Sequence, residues 1–306
     1  MATPPAESHQ LEQEALAALI VPRLLRVWPL LDVSRLTETL PLFRDSVQAI
    51  VDYFGQAATS SALDFYRTRR LSAGVAGRVT LPPVTAVPEG FVDELVVDSV
   101  SPLLLPGPDV TEAHDTLDAG AEHLVMEAGR RQLLSAASVD REAKGWARVP
   151  NADACSFCLM LALRPHYKTK ASASFRAHTR QPNGSGGECK CSAEPVFGAY
   201  EPPARVREAQ RLWTESTKGR SGHDARTAFR QAVEGRPVTG VKAKGAKPAK
   251  PSKPSAGKPG DKNWGKTPEN QRAQLRVLEA MPPATTPEAA AWRAGRIAEI
   301  HKFLGE

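Results

Sequence analysis

Between Pro41 and Tyr66 the apolar side chains recur at three- and four-residue steps: Phe43, Val47, Ile50, Val51, Phe54, Ala58, Ala62, Phe65 and Tyr66. Such a stripe lies along one face of an α-helix. No other stretch of the chain repeats so regularly, so the fold is expected to be built around a long helix beginning after Pro41, with these aromatics in its core. A shorter stripe, Leu11, Ala15, Leu16 and Leu19, precedes it, interrupted by Pro22 and closed by Pro29.

Pro82, Pro83, Pro88, Pro102, Pro106 and Pro108 break up the next stretch and leave room for one short helix from about Phe91 to Val100. Thr111 is a plausible N-cap for a further helix through Leu117, Ala121, Leu124, Val125 and Ala128. On it His114 and His123 stand nine residues apart, which is not the one-turn spacing of a helical metal pair, and they read as surface or partner-contact residues. Pro202 and Pro203 introduce a helix through Val206, Ala209, Leu212 and Trp213, and Asp224 can cap another that stops at Gly235. Thr267-Pro268-Glu269 and Thr286-Pro287-Glu288 each combine an N-cap, a proline at the first helical position and an acid at the positive helix end. With 6% aromatics against 26 prolines and 22 glycines, the class expected is mainly α, helices joined by irregular segments. No apolar run is long enough to span a bilayer.

All four cysteines fall in a window of 37 residues: Cys155 and Cys158 in ACSFC, Cys189 and Cys191 in ECKC, with His166 and His178 between the pairs. Thiolates two or three positions apart can address one ion, and Zn²⁺ accepts four S or N ligands in a tetrahedron. The one-residue gap of Cys189-Lys190-Cys191 strains two-point chelation, so His178 is an alternative ligand to one of those sulfurs. The spacing admits three readings: a zinc site, one or two disulfides, or thiols buried without a ligand. The polar, acidic start from Met1 to Gln10 does not resemble a signal peptide, and synthesis in a cytoplasm favours reduced thiols.

The net charge of +6 is localised. From Arg236 to Lys266 nine cations face one acid, Asp261, a net +8 that leaves −2 for the remainder. This segment carries Lys242, Lys244, Lys247, Lys250, Lys253, Lys258, Lys262 and Lys266 among prolines and small residues. It has too little apolar surface to offset ordering entropy, and is expected to be a disordered linker. It serves either as a solvated spacer or as a non-specific contact with DNA phosphate or an acidic protein. Beyond it, a helix with Trp292, Ile297, Ile300, Phe303 and Leu304 looks like a docking segment on a tether, or else folds back onto its own core.

No GxGxxG, GxxxxGK[ST], GxSxG or HExxH occurs, so the common nucleotide, hydrolase and metalloprotease readings lack their physical parts, and no small-molecule substrate is evident. A protease would need a nucleophile within hydrogen-bond reach of His166, His178 or His223.

The stretch WARVPNADACSFCLMLALRPHYKT, followed by CKCSAEPVFG, resembles the minor head proteins of tailed phages named after the F protein of phage Mu, in the form carried by actinobacterial phages. There an R-V-P segment leads into C-x-x-C-x-M-L-A, and a C-x-C with a nearby histidine and a hydrophobic-Pro-Val segment closes the unit. Here Gly187 and Glu188 occupy the place before C-x-C where many relatives have a histidine, which moves the expected ligand set toward four cysteines. The resemblance is specific from Trp146 to about Phe197 and weaker over the N-terminal helices and the C-terminal AAAWRAGRIAEIHKFLGE. It implies a low-copy structural protein of head assembly, made in the host cytoplasm and incorporated inside the capsid near the portal. Its implied partners are the portal protein, scaffold or major capsid protein, with DNA as a further contact. Some relatives are described as capsid maturation proteases, so that activity is the alternative reading, and a zinc-stabilised nucleic-acid-binding protein is a second.

Along the sequence the expected divisions are a helical region 1–145, a Cys-stapled module 146–200, a helical segment 201–235, a linker 236–266 and a C-terminal docking segment 267–306.

Overall fold

The computed structural model describes residues 5–107, 109–167, 190–238 and 267–306. It is mainly α-helical, as the sequence predicts. In order come α1 (Pro5–Ala18), α2 (Val21–Val27), α3 (Leu36–Ser72), α4 (Glu89–Val100), α5 (Val110–Val139), β1 (Gly145–Val149), α6 (Ser156–Ala162), β2 (Ser192–Val196), α7 (Ala204–Ser216), α8 (Gly222–Val233), α9 (Pro268–Ala280) and α10 (Pro287–Leu304). No described helix is long and apolar enough to cross a membrane.

The chain's division in space differs from its division along the sequence. The described residues fall into two compact units, one drawing on 5–15, 57–85, 126–167 and 190–238, the other on 16–56, 86–107, 109–125 and 267–306. Helices α3 and α5 each contribute to both. The predicted stripe of α3 is buried, from Phe43, Val47 and Val51 to Ala58, Ala62 and Tyr66, with Ile50 half-buried. The helix starts earlier than predicted, at Leu36, and carries Pro41 inside its second turn. It ends in a left-handed glycine: Gly74 at φ 68° lets its N–H reach Leu71 O (2.9 Å) while Val75 N–H reaches Arg70 O (3.2 Å), a closure that satisfies otherwise orphaned carbonyls.

Helix α1 buries a different face from the one its leucines suggest. Leu11 and Leu19 are 58% and 48% exposed, whereas Ala6, His9, Gln10, Gln13 and Ala17 are buried. The polar members of that face are only partly matched: Gln13 Nε2 donates to Ala58 O (3.1 Å) and Ser61 Oγ (3.2 Å), whereas neither ring nitrogen of His9 has a hydrogen-bond partner among the described residues. Helix α5 is capped by Asp109 rather than Thr111, through Glu112 N–H to Asp109 Oδ1 (3.0 Å). His114 is not a free surface residue, because its ring stacks on Trp28 with centroids 4.3 Å apart.

In the second unit α9 and α10 are neighbours that pack on α4, and both predicted threonine caps form, Thr267 with Asn270 N–H and Thr286 with Ala289 N–H, each at 3.2 Å. The Lys/Pro-rich segment with Lys242, Lys244, Lys247, Lys250, Lys253, Lys258, Lys262 and Lys266 lies outside the described residues, as do His178 and Cys189.

Candidate functional site

The segment predicted to be an irregular Cys-stapled module is built on two antiparallel strands. β1 pairs with β2 from Gly145↔Val196 to Val149↔Ser192, and every residue of both strands is buried. Burial on both faces removes the in-out alternation by which a strand is normally read. On its other edge β1 pairs with Tyr167: Trp146 N–H donates to Tyr167 O (2.9 Å), Tyr167 N–H to Trp146 O (2.7 Å), and the two rings stack at 4.8 Å.

Three of the four cysteines lie beside this sheet. Cys155 is the N-cap residue of α6, Cys158 lies in its first turn, and Cys191 immediately precedes β2. Cys158 and Cys191 are buried, Cys155 is half-buried, and all three join one apolar cluster with Tyr66, Phe65, Leu133, Trp146, Tyr167 and Phe229. The fold therefore places Cys155, Cys158 and Cys191 in one core. Among the described residues no group of three or more His, Cys, Asp or Glu side chains is arranged to hold a metal ion. Two members of the anticipated ligand set, Cys189 and His178, are outside them.

Residues that sequence reasoning missed hold β2 and the two residues before it in place. Arg130, on α5 and only 2% exposed, donates its Nε–H to Cys191 O at 2.7 Å. Gln10 of α1 donates to the carbonyl of the preceding residue, Lys190. Arg69 pairs with Glu194 of β2 at 2.8 Å. Burial pushes the Glu194 carboxyl up, against the pull of the Arg69 guanidinium. Burial likewise raises the Tyr200 phenol, reinforced by Glu194. At the entry to β1, Tyr66 Oη donates to Asp140 Oδ2 (3.0 Å) and Arg70 Nε–H reaches the same oxygen (2.9 Å). These are long-range arginine and glutamine contacts with no local sequence signature.

The C-terminal helix predicted to dock does so on its own chain. Asp93 of α4 is fully buried and accepts from Arg44 Nε (2.8 Å) and Arg293 Nε of α10 (2.8 Å), while Arg44 Nη2 also meets Glu89 at 2.7 Å. Burial would raise the Glu89 carboxyl, but hydrogen bonds from Thr285 and Thr286 and the Arg44 guanidinium hold it below its ordinary value. Trp292 lies over Gly90, where a Cβ would stand 3.8 Å from the Trp292 side chain. Ile300 is fully buried, Ile297 and Leu304 are half-buried, and Phe303 is 46% exposed.

His166 is half-buried just before Tyr167. Thr227 Oγ1 stands 3.5 Å from His223 Nδ1 on an exposed helix face, at the outer limit of a hydrogen bond.

The comparisons assign this mainly α-helical chain to a family. The VG15 protein family model matches residues 1–216, and the chain belongs to that family. It is a bacteriophage protein. The match ends where α7 ends, so α8, the Lys-rich segment and α9–α10 lie beyond it. Searches of the curated proteins and of the solved structures gave no significant match.

Proposed function

We propose that this protein is a minor capsid component of the phage head, acting in head assembly near the portal. The observation that carries the reading is the segment Trp146–Phe197, whose motif resembles Mu F-like minor head proteins, within a phage family match and with Cys155, Cys158 and Cys191 in one apolar cluster. In this account the helices supply the packing surface. The cysteine cluster fixes an otherwise weakly apolar loop, and the Lys-rich segment reaches DNA, portal or scaffold. Zn²⁺ is the proposed staple, held by Cys155, Cys158, Cys189 and Cys191 with His178 as the alternative donor. Zinc would supply a closed structural site rather than chemistry.

An amber mutation at the Trp146 codon tests the role. In a non-suppressing host, DNA-filled heads should fail to form while the major capsid protein still accumulates. Normal yields of infectious particles would overturn the reading. A capsid maturation protease is the competing function. Co-expression with the major capsid protein and scaffold should leave both uncleaved, and specific cleavage lost on replacing one Ser, Thr or Cys would establish the protease instead.

A further inference from the structure

Helices α9 and α10 pack on α4 and on the turn Ser101–Leu104 that follows it. Their inward side chains belong to the core of the second unit: Ala273, Val277, Leu278, Ala289 and Ile300 are all buried. The polar part of the contact is equally specific. Glu89 accepts from the backbone N–H of Thr285 (2.9 Å) and of Thr286 (3.1 Å) and from Thr285 Oγ1 (2.8 Å), while Asp93 accepts from Arg293 Nε (2.8 Å). Arg44 alone leaves the two carboxylates one positive charge short, and Arg293 supplies it. A buried acid without its cation is costly, so α4 is a face that requires an arginine-bearing helix.

The two sides of this contact are remote along the chain. Glu89 and Asp93 fall inside the family match, residues 1–216, and Arg293 falls beyond it. Residues 239–266 separate the described Val238 from the described Thr267. A connection of that length can bridge at most about 90–100 Å, so the covalent link does not dictate that α10 dock on the α4 of its own chain. Every hydrogen bond and apolar contact of the dock is the same when the segment comes from another copy. The difference is the tether, which gives the segment an effective concentration on the order of a millimolar at its own α4.

We infer that the α4 face is an interface between copies of this chain, on which α9 and α10 of one copy dock by placing Arg293 against Asp93 and Glu89 of another. Exchange of an identical element conserves the contacts of the monomer and is a low-cost route to dimers. Dilute copies keep the segment on their own α4, and copies held side by side exchange it. The inference rests on this contact and not on the head-assembly reading.

The test uses two full-length charge-reversed variants, D93R and R293D. D93R leaves three cations around Glu89, and R293D leaves three carboxylates around Arg44, so neither chain closes its own dock. Mixed, they are complementary in both directions. The reversed α4 of D93R accepts the reversed α10 of R293D, and the native α4 of R293D accepts the native α10 of D93R. Size-exclusion chromatography with light scattering should show each variant alone as a monomer and the micromolar mixture as a one-to-one heterodimer, with a urea midpoint above that of either variant. D93R/R293D in one chain should be a folded monomer, which checks that the reversal is tolerated. In a second arm, heavy- and light-isotope wild-type chains are mixed at about a millimolar and cross-linked through an amine-reactive diazirine. Links from Lys302 of one isotope to residues 89–104 of the other should then appear beside the same-isotope links. A mixture that stays monomeric while D93R/R293D folds overturns the inference. So does the absence of heavy-to-light links where same-isotope links are plentiful, whatever the fate of the reversed variants. Dimers formed by either variant alone would assign association to another surface and overturn it as well.

Discussion

Asp93→Asn should be among the most damaging isosteric substitutions in this chain. Asp93 is fully buried and accepts from two guanidiniums, Arg44 and Arg293, both through Nε at 2.8 Å. With Glu89 the cluster holds two acids and two arginines, and the side chains of all four are 10% exposed or less. Asparagine preserves the shape but removes one negative charge, and it turns an amide N–H₂ toward a guanidinium. An uncompensated cation then remains where water cannot reach it. Breaking a buried pair this way costs about 3–5 kcal/mol. At a slope near 2 kcal/mol per molar urea, the unfolding midpoint should fall by about 2 M. Arg293→Met should be comparably harmful alone, yet D93L/R293M should cost much less than the sum of the single changes, because no charge is left stranded. Urea denaturation followed by circular dichroism gives all these values, with Asp64→Asn as control, since the Arg67–Asp64 pair is 59% and 75% exposed and such pairs contribute little. An Asp93→Asn protein as stable as the control would refute the claim that this cluster holds α10 on α4.

His9 supplies a pH prediction. Its ring is buried, stacks on Phe65 at 4.3 Å, and burial lowers its pKa from 6.5 to about 4. The unfolded chain therefore binds the proton first, and stability falls as pH drops from about 6.5 to about 4. The total is about 3 kcal/mol, and it should be absent from the difference curve of His9→Phe. Arg130→Met removes a buried charge-assisted hydrogen bond to Cys191 O, which should cost about 1–3 kcal/mol in thermal or chemical unfolding. Protein purified under reducing conditions should carry about one zinc by elemental analysis and lose it with Cys158→Ser; metal-free protein with an unchanged fold would remove zinc from the account, and a mass lower by two or four hydrogens would replace it with disulfides.

The parts of the fold legible in the sequence were those fixed locally. The stripe of α3 could be read because its buried side chains are apolar, and the caps of α9 and α10 because Thr-Pro-Glu contains the whole signal. Helix α1 misled the same reading. Its buried face holds Gln10 and Gln13, acceptable there only because distant carbonyls at Lys190 and Ala58 accept from them. The strands at 145–149 and 192–196 escaped notice because both faces are buried and no alternation survives. The cysteine clustering was visible from spacing alone, but Arg130, which fixes the Cys191 backbone, lies 61 residues away on another helix. The buried quartet of Arg44, Glu89, Asp93 and Arg293 was equally hidden, since charged residues 200 or more positions apart meet only once the helices are packed.

The central claim is that this phage protein is a structural part of the head, and quantitative mass spectrometry of gradient-purified virions and proheads tests it most directly. The account predicts peptides of this chain in both particles, at a copy number comparable to the portal protein and far below the major capsid protein. Its absence from both, with the protein present in the infected-cell lysate, would contradict it.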